Sequence, residues 1–462
     1  MPRRQTSAPL VDVASGIIWQ QLLRFFYPIA LGSVLQLSYN LADSLIVGHF
    51  LGKYALAAVS GSAANLLLLI VGLFTGLSAG STVVIAHHYG AGDREQVGAA
   101  VGSVMLLALI AGAGLTLVCQ LSAPACLVWL RTPADTMALS LDYLQIVLLS
   151  VAPMLVYQVG SGILRAVGDS RRPLLLLATC CLLNILLDLL FVAGFRWGVA
   201  GAAAATALAQ TCSALLVLWI LRHDQGCYRL LRRHFRIHPR LSGEMVRVGI
   251  PAGLQVSMYN VANLIIMAVV NDLGTDFVAA WGTANKVDSL SWMLVEALGI
   301  ALLTVVGQNY GAGRMDRVKT ATNSALLIAC AFTIVLSGLS ILFSRPLMAL
   351  FVDDAAVVDM GSTLIRFFCA WYLAYFFIEV YAYSLRGMGD SLLPALITGL
   401  GVCGLRLLWV LKLGPLFTNL PPWLQLSAGY PVSWVATSLA FLIYFPLRFR
   451  QLRRHMGQSG EK

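Results

Sequence analysis

The most regular feature of the sequence is a series of long apolar runs that few charged residues interrupt. The runs do not alternate apolar and polar residues, as transmembrane β-strands would. Each is long enough to cross a bilayer as a helix, at roughly 20 residues, and a helix satisfies its own backbone hydrogen bonds in lipid. The sequence therefore predicts an all-α membrane protein with twelve transmembrane helices. Their predicted ranges are 24–48, 54–88, 94–121, 136–163, 173–195, 199–221, 244–271, 277–309, 316–343, 357–385, 394–413 and 424–447.

The composition supports a membrane location. Of 462 residues, 59% are hydrophobic and 11% are charged, whereas soluble chains carry about 25% charged residues. The net charge of +10 could suggest a nucleic-acid partner, but its distribution along the chain argues against one. Most Lys and Arg residues fall in loops on the side of the N-terminus, and the opposite loops hold Lys53, Arg131, Arg196 and Arg345. By the positive-inside rule, both termini are predicted to be cytoplasmic, and the Arg-rich central loop is expected to face anionic lipid.

Two short motifs occur twice, with the same separation between copies. The motif "YGAG" stands at 89–92 and 310–313, and "LRAVGDSRRP" at 164–173 is followed by "LRGMGDSLLP" at 385–394. Glycine permits a tight turn, and proline suits the first turn of a helix. We therefore interpret both motifs as turns that join spans.

These turns indicate an internal repeat. Six spans precede the Arg-rich loop and six follow it, so both halves have the same orientation and form a parallel repeat of two six-helix lobes. Two matched lobes suit a transporter that works by alternating access. The predicted domains are an N-terminal segment 1–23, an N-lobe 24–221, a basic linker 222–243, a C-lobe 244–447 and a tail 448–462. Leu10 to Leu23 is predicted to lie on the membrane surface.

Charged residues within spans are costly and usually functional. In the first half, Tyr39 precedes Asp43 by one helical turn, and Asn184 precedes Asp188 by the same spacing, so each pair shares a helix face. The second half lacks counterparts of these two carboxylates. Its own intramembrane acids are Asp288, Glu296 and Glu379.

With these residues the chain resembles the multidrug and toxic compound extrusion (MATE) transporters. The resemblance covers about residues 20–450 and rests on "ADSLIVGHFLGKYALAAV", on the doubled motifs and on twelve spans in two lobes. It implies export of organic, often cationic, compounds in exchange for Na⁺ or H⁺. It also implies a cation site at Asp43, Asn184, Asp188 and Thr206, with Tyr39 in the same polar network and Pro28 allowing the first helix to bend.

The residue types fit that role independently. Carboxylate, amide and hydroxyl oxygens are suitable ligands for Na⁺, a hard cation. Two carboxylates that share a low-dielectric site repel each other, so the pair can hold either Na⁺ or a proton. Pro28 removes one helical hydrogen bond and permits a kink. We expect no cofactor other than the coupling ion.

The second half suggests where an organic substrate binds. Glu379 lies among aromatic residues in "WYLAYFFIEVYAY", and Glu296 lies near the middle of its span. A carboxylate beside aromatic faces suits an organic cation. We treat Glu296, Glu379 and Asp288 as candidate substrate-cavity residues. Lys286 is predicted to pair with Asp288, and Arg406 to neutralise one of these acids.

The resemblance is closer to the DinF-like branch of the family than to the NorM-like branch. The NorM-like branch carries an acid early in the seventh span, where this chain has Tyr259 and Asn260. We therefore expect coupling through the N-lobe of a monomer in the inner membrane of a bacterium. One alternative is a flippase or dedicated exporter of a lipid-linked or endogenous compound. An intramembrane enzyme is not expected, since no nucleophile–base set or metal cluster is evident.

Overall fold

The structure is a computed structural model that describes residues 16–459, with no β-strand in that range. The predicted surface segment lies outside the described residues from Leu10 to Ser15. From Ile18 onward it is part of α1, which begins there rather than at residue 24. The guanidinium of Arg317 donates to the Gly16 carbonyl at 3.1 and 3.2 Å, which holds the chain just before this helix.

The first compact unit contains residues 27–253. Its buried hydrophobic core draws on every long helix from α1 to α8. The helices up to this point are α1 (Ile18–Leu51), α2 (Lys53–Ser60), α3 (Ser62–Gly90), α4 (Arg94–Trp129), α5 (Ala134–Leu148), α6 (Val151–Ala166), α7 (Arg171–Asp188), which continues as a π-helix over Leu189–Gly194, and α8 (Gly198–His223).

The second compact unit contains residues 16–26 and 254–459. A 3₁₀ turn at Arg232–His234 precedes its helices. They are α9 (Pro239–Asn271), whose first half belongs to the first unit, α10 (Thr275–Gly311), α11 (Met315–Leu342), α12 (Ser344–Ala349), α13 (Ala355–Cys369), α14 (Tyr372–Gly387), α15 (Leu392–Thr398), α16 (Arg406–Leu408), α17 (Pro422–Ser427) and α18 (Gly429–Ser459). Two π-helical stretches, Gly399–Leu405 and Trp409–Leu413, flank α16.

The lengths of these helices match membrane spans. Among the described residues, nine helical segments are long and apolar enough to cross a bilayer, and two bent pairs, α5–α6 and α13–α14, make eleven. The bends measure 49° and 50° and fall at equivalent places in the two halves. With the 34-residue α1, the helices account for the twelve predicted spans.

Large apolar side chains lie exposed along the outer faces of these helices. Leu121 on α4 is 77% exposed, and Leu45 on α1 is 72% exposed. Exposed apolar faces of this extent are typical of surfaces that contact lipid.

The YGAG turns end α3 and α10 in the same way. Gly92 and Gly313 have φ angles of 75° and 72°, a region that glycine adopts without steric cost. The N–H groups of the two copies bond to corresponding carbonyls: Ala91 to His87 and Gly92 to Tyr89 in the first, Ala312 to Gln308 and Gly313 to Tyr310 in the second. These hydrogen bonds support the interpretation of the motif as a turn.

The two LRxxGDS turns share their backbone bonds but differ in their side-chain partners. Asp169 accepts from the N–H groups of Arg171 and Arg172 and forms an ion pair with Arg172. Asp390 instead accepts from the Tyr444 hydroxyl at 2.6 Å and from Arg448 Nε at 2.7 Å, both on α18.

Arg172 also ties the first turn to the residue after α8. Its guanidinium donates to Asp224, which in addition accepts from the Gly226 N–H. Partial burial alone would raise the pKa of Asp224, but the hydrogen bonds from Arg172, Gly226 and Tyr228 outweigh it and lower that pKa below its usual value. The start of the basic linker is therefore held to the first LRxxGDS turn.

The rest of the linker packs on α4. The His238 N–H donates to Ser103 Oγ at 2.7 Å, and Ser103 and Ser242 hydroxyls lie 3.1 Å apart. The His234 ring lies against Gly98, where a Cβ atom would come within 2.6 Å of it. Partial burial, with the neighbouring Arg233, lowers the pKa of His234 below 6.5. Residues 232–242 thus pack as part of the first unit.

Glycines bring the backbones of α3 and α9 into direct contact. A Cβ atom on Gly80 would lie 2.2 Å from the Met245 carbonyl oxygen and 2.8 Å from the Gly249 nitrogen. A Cβ atom on Gly76 would lie 2.5 Å from the Gly249 carbonyl oxygen. Small residues spaced four apart permit close packing of membrane helices, and this contact fixes the first half of α9 against α3.

Candidate functional site

The first unit brings Asp43 and Asp188 together. Asp43 lies on α1, and Asp188 is the last residue of α7 before its π-helical continuation. Their carboxyl groups face each other and interact directly. Asp188 is fully buried, and π-helical stretches often mark functional sites because they interrupt regular helix packing.

Asn184 and Thr206 complete the predicted set. Asn184 is one turn before Asp188 and is buried. In the orientation that satisfies both ends of its amide, Asn184 donates to Asp188 Oδ2 at 2.8 Å and accepts from the Thr206 N–H at 3.2 Å. Thr206 Oγ1 lies 3.3 Å from the same amide. The structure therefore places these two residues in one network with the carboxyl pair.

Two tyrosines border the pair. Tyr39, one turn before Asp43 on α1, lies close to the Thr206 side chain and to Asp43. Tyr143 on α5 is buried and interacts electrostatically with both Asp43 and Asp188. Tyr143 was not among the sequence predictions. It stands in "ALSLDYLQIVL" of α5, and an aromatic residue within a predicted span carries no signal that would single it out.

The arrangement has a clear chemical consequence. Two carboxyl groups in contact repel each other when both are ionised. Such a pair therefore either shares a proton or binds a cation. No N–H or O–H group in the described part of the chain donates to Asp188 Oδ1. A buried polar atom without a donor is costly, so this oxygen is suited to a proton or a small hard cation.

Pro28 lies inside α1, about four turns before Asp43. Its nitrogen cannot donate to the carbonyl one turn earlier, so α1 has one backbone hydrogen bond fewer at this point. The helix is continuous from Ile18 to Leu51. The position is thus suited to a change in helix curvature without unfolding.

The second unit contains the three other candidate acids, at separate positions. Asp288 on α10 is buried and faces the Tyr372 hydroxyl. The predicted pairing with Lys286 is wrong, because Lys286 Nζ lies 5.9 Å from the centre of the Phe351 ring and is exposed. Residues two apart on a helix point in different directions.

Glu379 and Glu296 have different surroundings. Glu379 on α14 accepts a hydrogen bond from Tyr375 and lies close to Tyr259 on α9. Glu296 on α10 is exposed and interacts electrostatically with Tyr383. Of the aromatic residues predicted around Glu379, Tyr375 reaches its carboxyl, and Tyr259 on α9, which was not in that prediction, also lies close to it.

Arg406 does not neutralise any of these acids. Among the described residues no carboxylate forms an ion pair with it. Its guanidinium lies 3.9 Å from the centre of the Tyr430 ring instead. The prediction that Arg406 pairs with an acid is wrong, since α18 offers aromatic faces at that position.

Comparison with known proteins decides the family. A family model described as MatE matches residues 28–190 and 251–410. The chain belongs to the MatE family. Asp43 and Asp188 lie within the first matched range. Thr206 lies in the gap between the two matched ranges.

Relatives of this MatE chain extend over most of its length. It is 26% identical over 435 residues to the probable multidrug resistance protein YoeA of Bacillus subtilis, covering 93% of each chain. It is 27% identical over 366 residues to an FAD transporter of Shewanella oneidensis, covering 75% of this chain and 77% of the relative. Its fold matches the outward-facing conformation of a multidrug resistance MATE family transporter with a TM-score of 0.90 at 23% identity, covering 97% of this chain and 99% of the other.

These findings confirm the predicted fold class of this MatE protein, an all-α membrane protein with twelve transmembrane helices in two lobes. They also confirm that it is a multi-pass membrane transporter and not an enzyme. Its family consists of antiporters that work by alternating access.

Proposed function

We propose that this MATE transporter exports organic cations in exchange for H⁺ or Na⁺, with Asp43 and Asp188 as the ion-coupling pair. The observation that carries the proposal is the direct contact of two carboxyl groups at a site where Asp188 is fully buried. Such a pair changes its net charge when it takes up one cation. It is therefore a suitable switch for an antiporter.

The hydrogen bonds of Asn184 bear on the choice of ion. Its amide donates an N–H group to Asp188 and directs its oxygen to the Thr206 N–H. This arrangement suits a carboxyl pair that shares a proton. Binding of Na⁺ would use the oxygens of Asp43 and Asp188 and, after rotation of the amide, those of Asn184 and Thr206.

The ion gradient supplies enough energy for export. In a one-for-one exchange of monovalent cations the membrane potential does no net work, so the concentration gradient of the ion drives export. A difference of one pH unit supplies about 1.4 kcal/mol, equivalent to roughly tenfold accumulation of the exported compound. Pro28 is proposed to let α1 change its curvature when the carboxyl pair gains or loses its cation. Tyr39 and Thr206 would transmit that change, since they connect α1 to α8.

The substrate is proposed to meet the acids of the second unit. Glu379 lies between Tyr375 and Tyr259, and Asp288 faces Tyr372. A negative charge beside aromatic rings favours an organic cation through charge and cation–π attraction. Glu296 is proposed as a further contact because it is exposed on the same helix as Asp288.

The absence of an acid at Tyr259 and Asn260 supports a position in the DinF-like rather than the NorM-like branch, with coupling in the first unit. The distribution of Lys and Arg supports an inner-membrane protein with both termini in the cytoplasm. We propose that it acts as a monomer, because the coupling residues all come from one chain.

Ethidium efflux tests the proposal. Proteoliposomes with wild type, Asp43→Asn or Asp142→Asn would be compared under an imposed pH gradient and then an imposed Na⁺ gradient. Asp142 is an exposed carboxylate on α5 and serves as the matched control. Wild type and Asp142→Asn should expel ethidium under one of the gradients, and Asp43→Asn should not.

Gradient-driven efflux by Asp43→Asn at the wild-type rate would overturn the assignment of the coupling pair. A folded wild type that expels no ethidium under either gradient would exclude general cation export. It would then favour a dedicated cargo, such as a lipid-linked or endogenous compound.

A further inference from the structure

Arg406 is a buried positive charge near the middle of a membrane span. It lies within the helical segment Leu392–Leu416, ten residues from its end, which is about 15 Å along a helix. A charge at this depth is costly and is usually retained for function. The ion-coupling pair in the first unit does not involve it.

The surroundings of Arg406 satisfy the guanidinium only in part. The side chain is 4% exposed, lies 3.9 Å from the Tyr430 ring centre and 5.7 Å from that of Trp434, and donates through Nε to Ser433 at 3.4 Å. Nη2 has no hydrogen-bond acceptor among the described residues.

Aromatic stacking does not replace a counter-charge. A cation–π contact stabilises a buried cation by a free energy much smaller than the one lost when a buried charge has no counter-charge. The π-helical stretches on both sides of Arg406 interrupt the regular helix here, as they often do at ligand sites. The guanidinium presents a planar fork that matches a carboxylate or phosphate, and the free Nη2 is one arm of that fork.

An acid lies across the same aromatic cluster. The rings of Tyr430 and Trp434 are 5.6 Å apart, and those of Trp434 and Tyr372 are 5.7 Å apart. Tyr372 in turn faces Asp288. Asp288 also interacts electrostatically with Tyr430, so Arg406 and Asp288 both border the cluster of Tyr430, Trp434 and Tyr372 within the second unit.

We propose that Arg406 binds an oxyanion, such as a carboxylate, on the transported compound while the half-buried Tyr430 contacts its aromatic body. A cationic group on the same compound would be directed toward Asp288. This inference rests on the proposed export function, and it names a residue that selects among substrates.

A matched pair of dyes tests the role of Arg406. Rhodamine 110 carries a free carboxylate, and rhodamine 123 is its methyl ester. Dissociation constants would be measured by fluorescence polarisation with purified protein, so the result does not depend on transport. The readout is the ratio of the rhodamine 123 constant to the rhodamine 110 constant in wild type and in Arg406→Gln.

Arg406→Gln should lower this ratio roughly 10- to 100-fold, the loss expected for a hydrogen bond to a charged group. Arg386→Gln is the control. Arg386 is also buried, donates to Gln255 at 2.8 Å and has one nitrogen, Nε, without a partner among the described residues, but it lies over Tyr383 instead of Tyr430. Its ratio should match wild type. Arg406→Lys keeps the charge without the planar fork and should lower the ratio several-fold. It still decides the question if Arg406→Gln does not fold.

A ratio that Arg406→Gln or Arg406→Lys leaves unchanged would overturn the inference, as would an equal loss in Arg386→Gln. Failure of wild type to transport either dye would count against the proposed export function alone. The binding ratio would still decide the role of Arg406.

Discussion

The contact between α3 and α9 leads to a substitution whose cost follows from measured distances. In Gly80→Ala the new methyl group would lie 2.2 Å from the Met245 carbonyl oxygen and 2.8 Å from the Gly249 nitrogen. An ordinary contact is about 3.5 Å, so the two helices would have to separate by about 1 Å. Overpacking of this kind costs about 1–3 kcal/mol, and backbone atoms cannot rotate away, so the cost should be at the upper end.

One gain opposes this cost. Alanine favours a helix over glycine by about 1 kcal/mol. We therefore expect Gly80→Ala to lower the free energy of unfolding by about 2 kcal/mol. The matched control is Gly114→Ala on α4, where a Cβ atom would meet nothing within 4 Å, and it should raise that free energy by up to about 1 kcal/mol.

Titration of the purified protein in mixed micelles with sodium dodecyl sulfate, followed by tryptophan fluorescence, measures both variants. The expected order of stability is Gly114→Ala, wild type, Gly80→Ala. A Gly80→Ala protein as stable as Gly114→Ala would refute the backbone contact between α3 and α9.

Two further predictions concern the ends of the helices. Because the folded pKa of His234 is lower than its unfolded value near 6.5, acidification through that value protonates the unfolded state more readily and weakens the docking of the linker. In wild type, the hydrogen–deuterium exchange rate of residues 232–242, corrected for intrinsic rates, should rise as the pH falls from about 7.5 to about 5.5. A corrected rate that does not change with pH would contradict this. Asp390→Asn should lower the free energy of unfolding by about 1.5–3 kcal/mol, because it weakens the hydrogen bonds from Tyr444 and Arg448. Asp169→Asn should lower that free energy less, because Arg172 keeps its ion pair with Asp224. Equal losses in the same detergent titration would contradict this difference between the two turns.

Much of the fold could be predicted from the sequence because the bilayer restricts the choices. Apolar runs of span length can only be helices in lipid, and the doubled turns set the register of the repeat. The starts of helices were harder to predict. Just before α1, the Gly16 carbonyl accepts from Arg317, which is distant in sequence, and no local pattern reports such a contact.

The candidate site was partly predictable for a related reason. Asp43 and Asp188 stand out because carboxylates are rare within spans, and the structure brings them together. Tyr143 does not stand out, since an aromatic residue in an apolar helix is ordinary. The partners of Asp288 and Arg406 were predicted wrongly from proximity in sequence or from charge, whereas the actual partners are aromatic side chains on α14 and α18.

The unequal partners of Asp169 and Asp390 have a consequence for how the gene can change. Each aspartate depends on different residues elsewhere in the chain. These are residues 172 and 224 for the first copy and residues 444 and 448 for the second. Recombination that exchanged the two LRxxGDS segments would preserve the motif in both places and separate a turn from residues that have adapted to it. We therefore expect the two copies to change independently during evolution, each together with its own distant partner residues, while both keep the LRxxGDS motif.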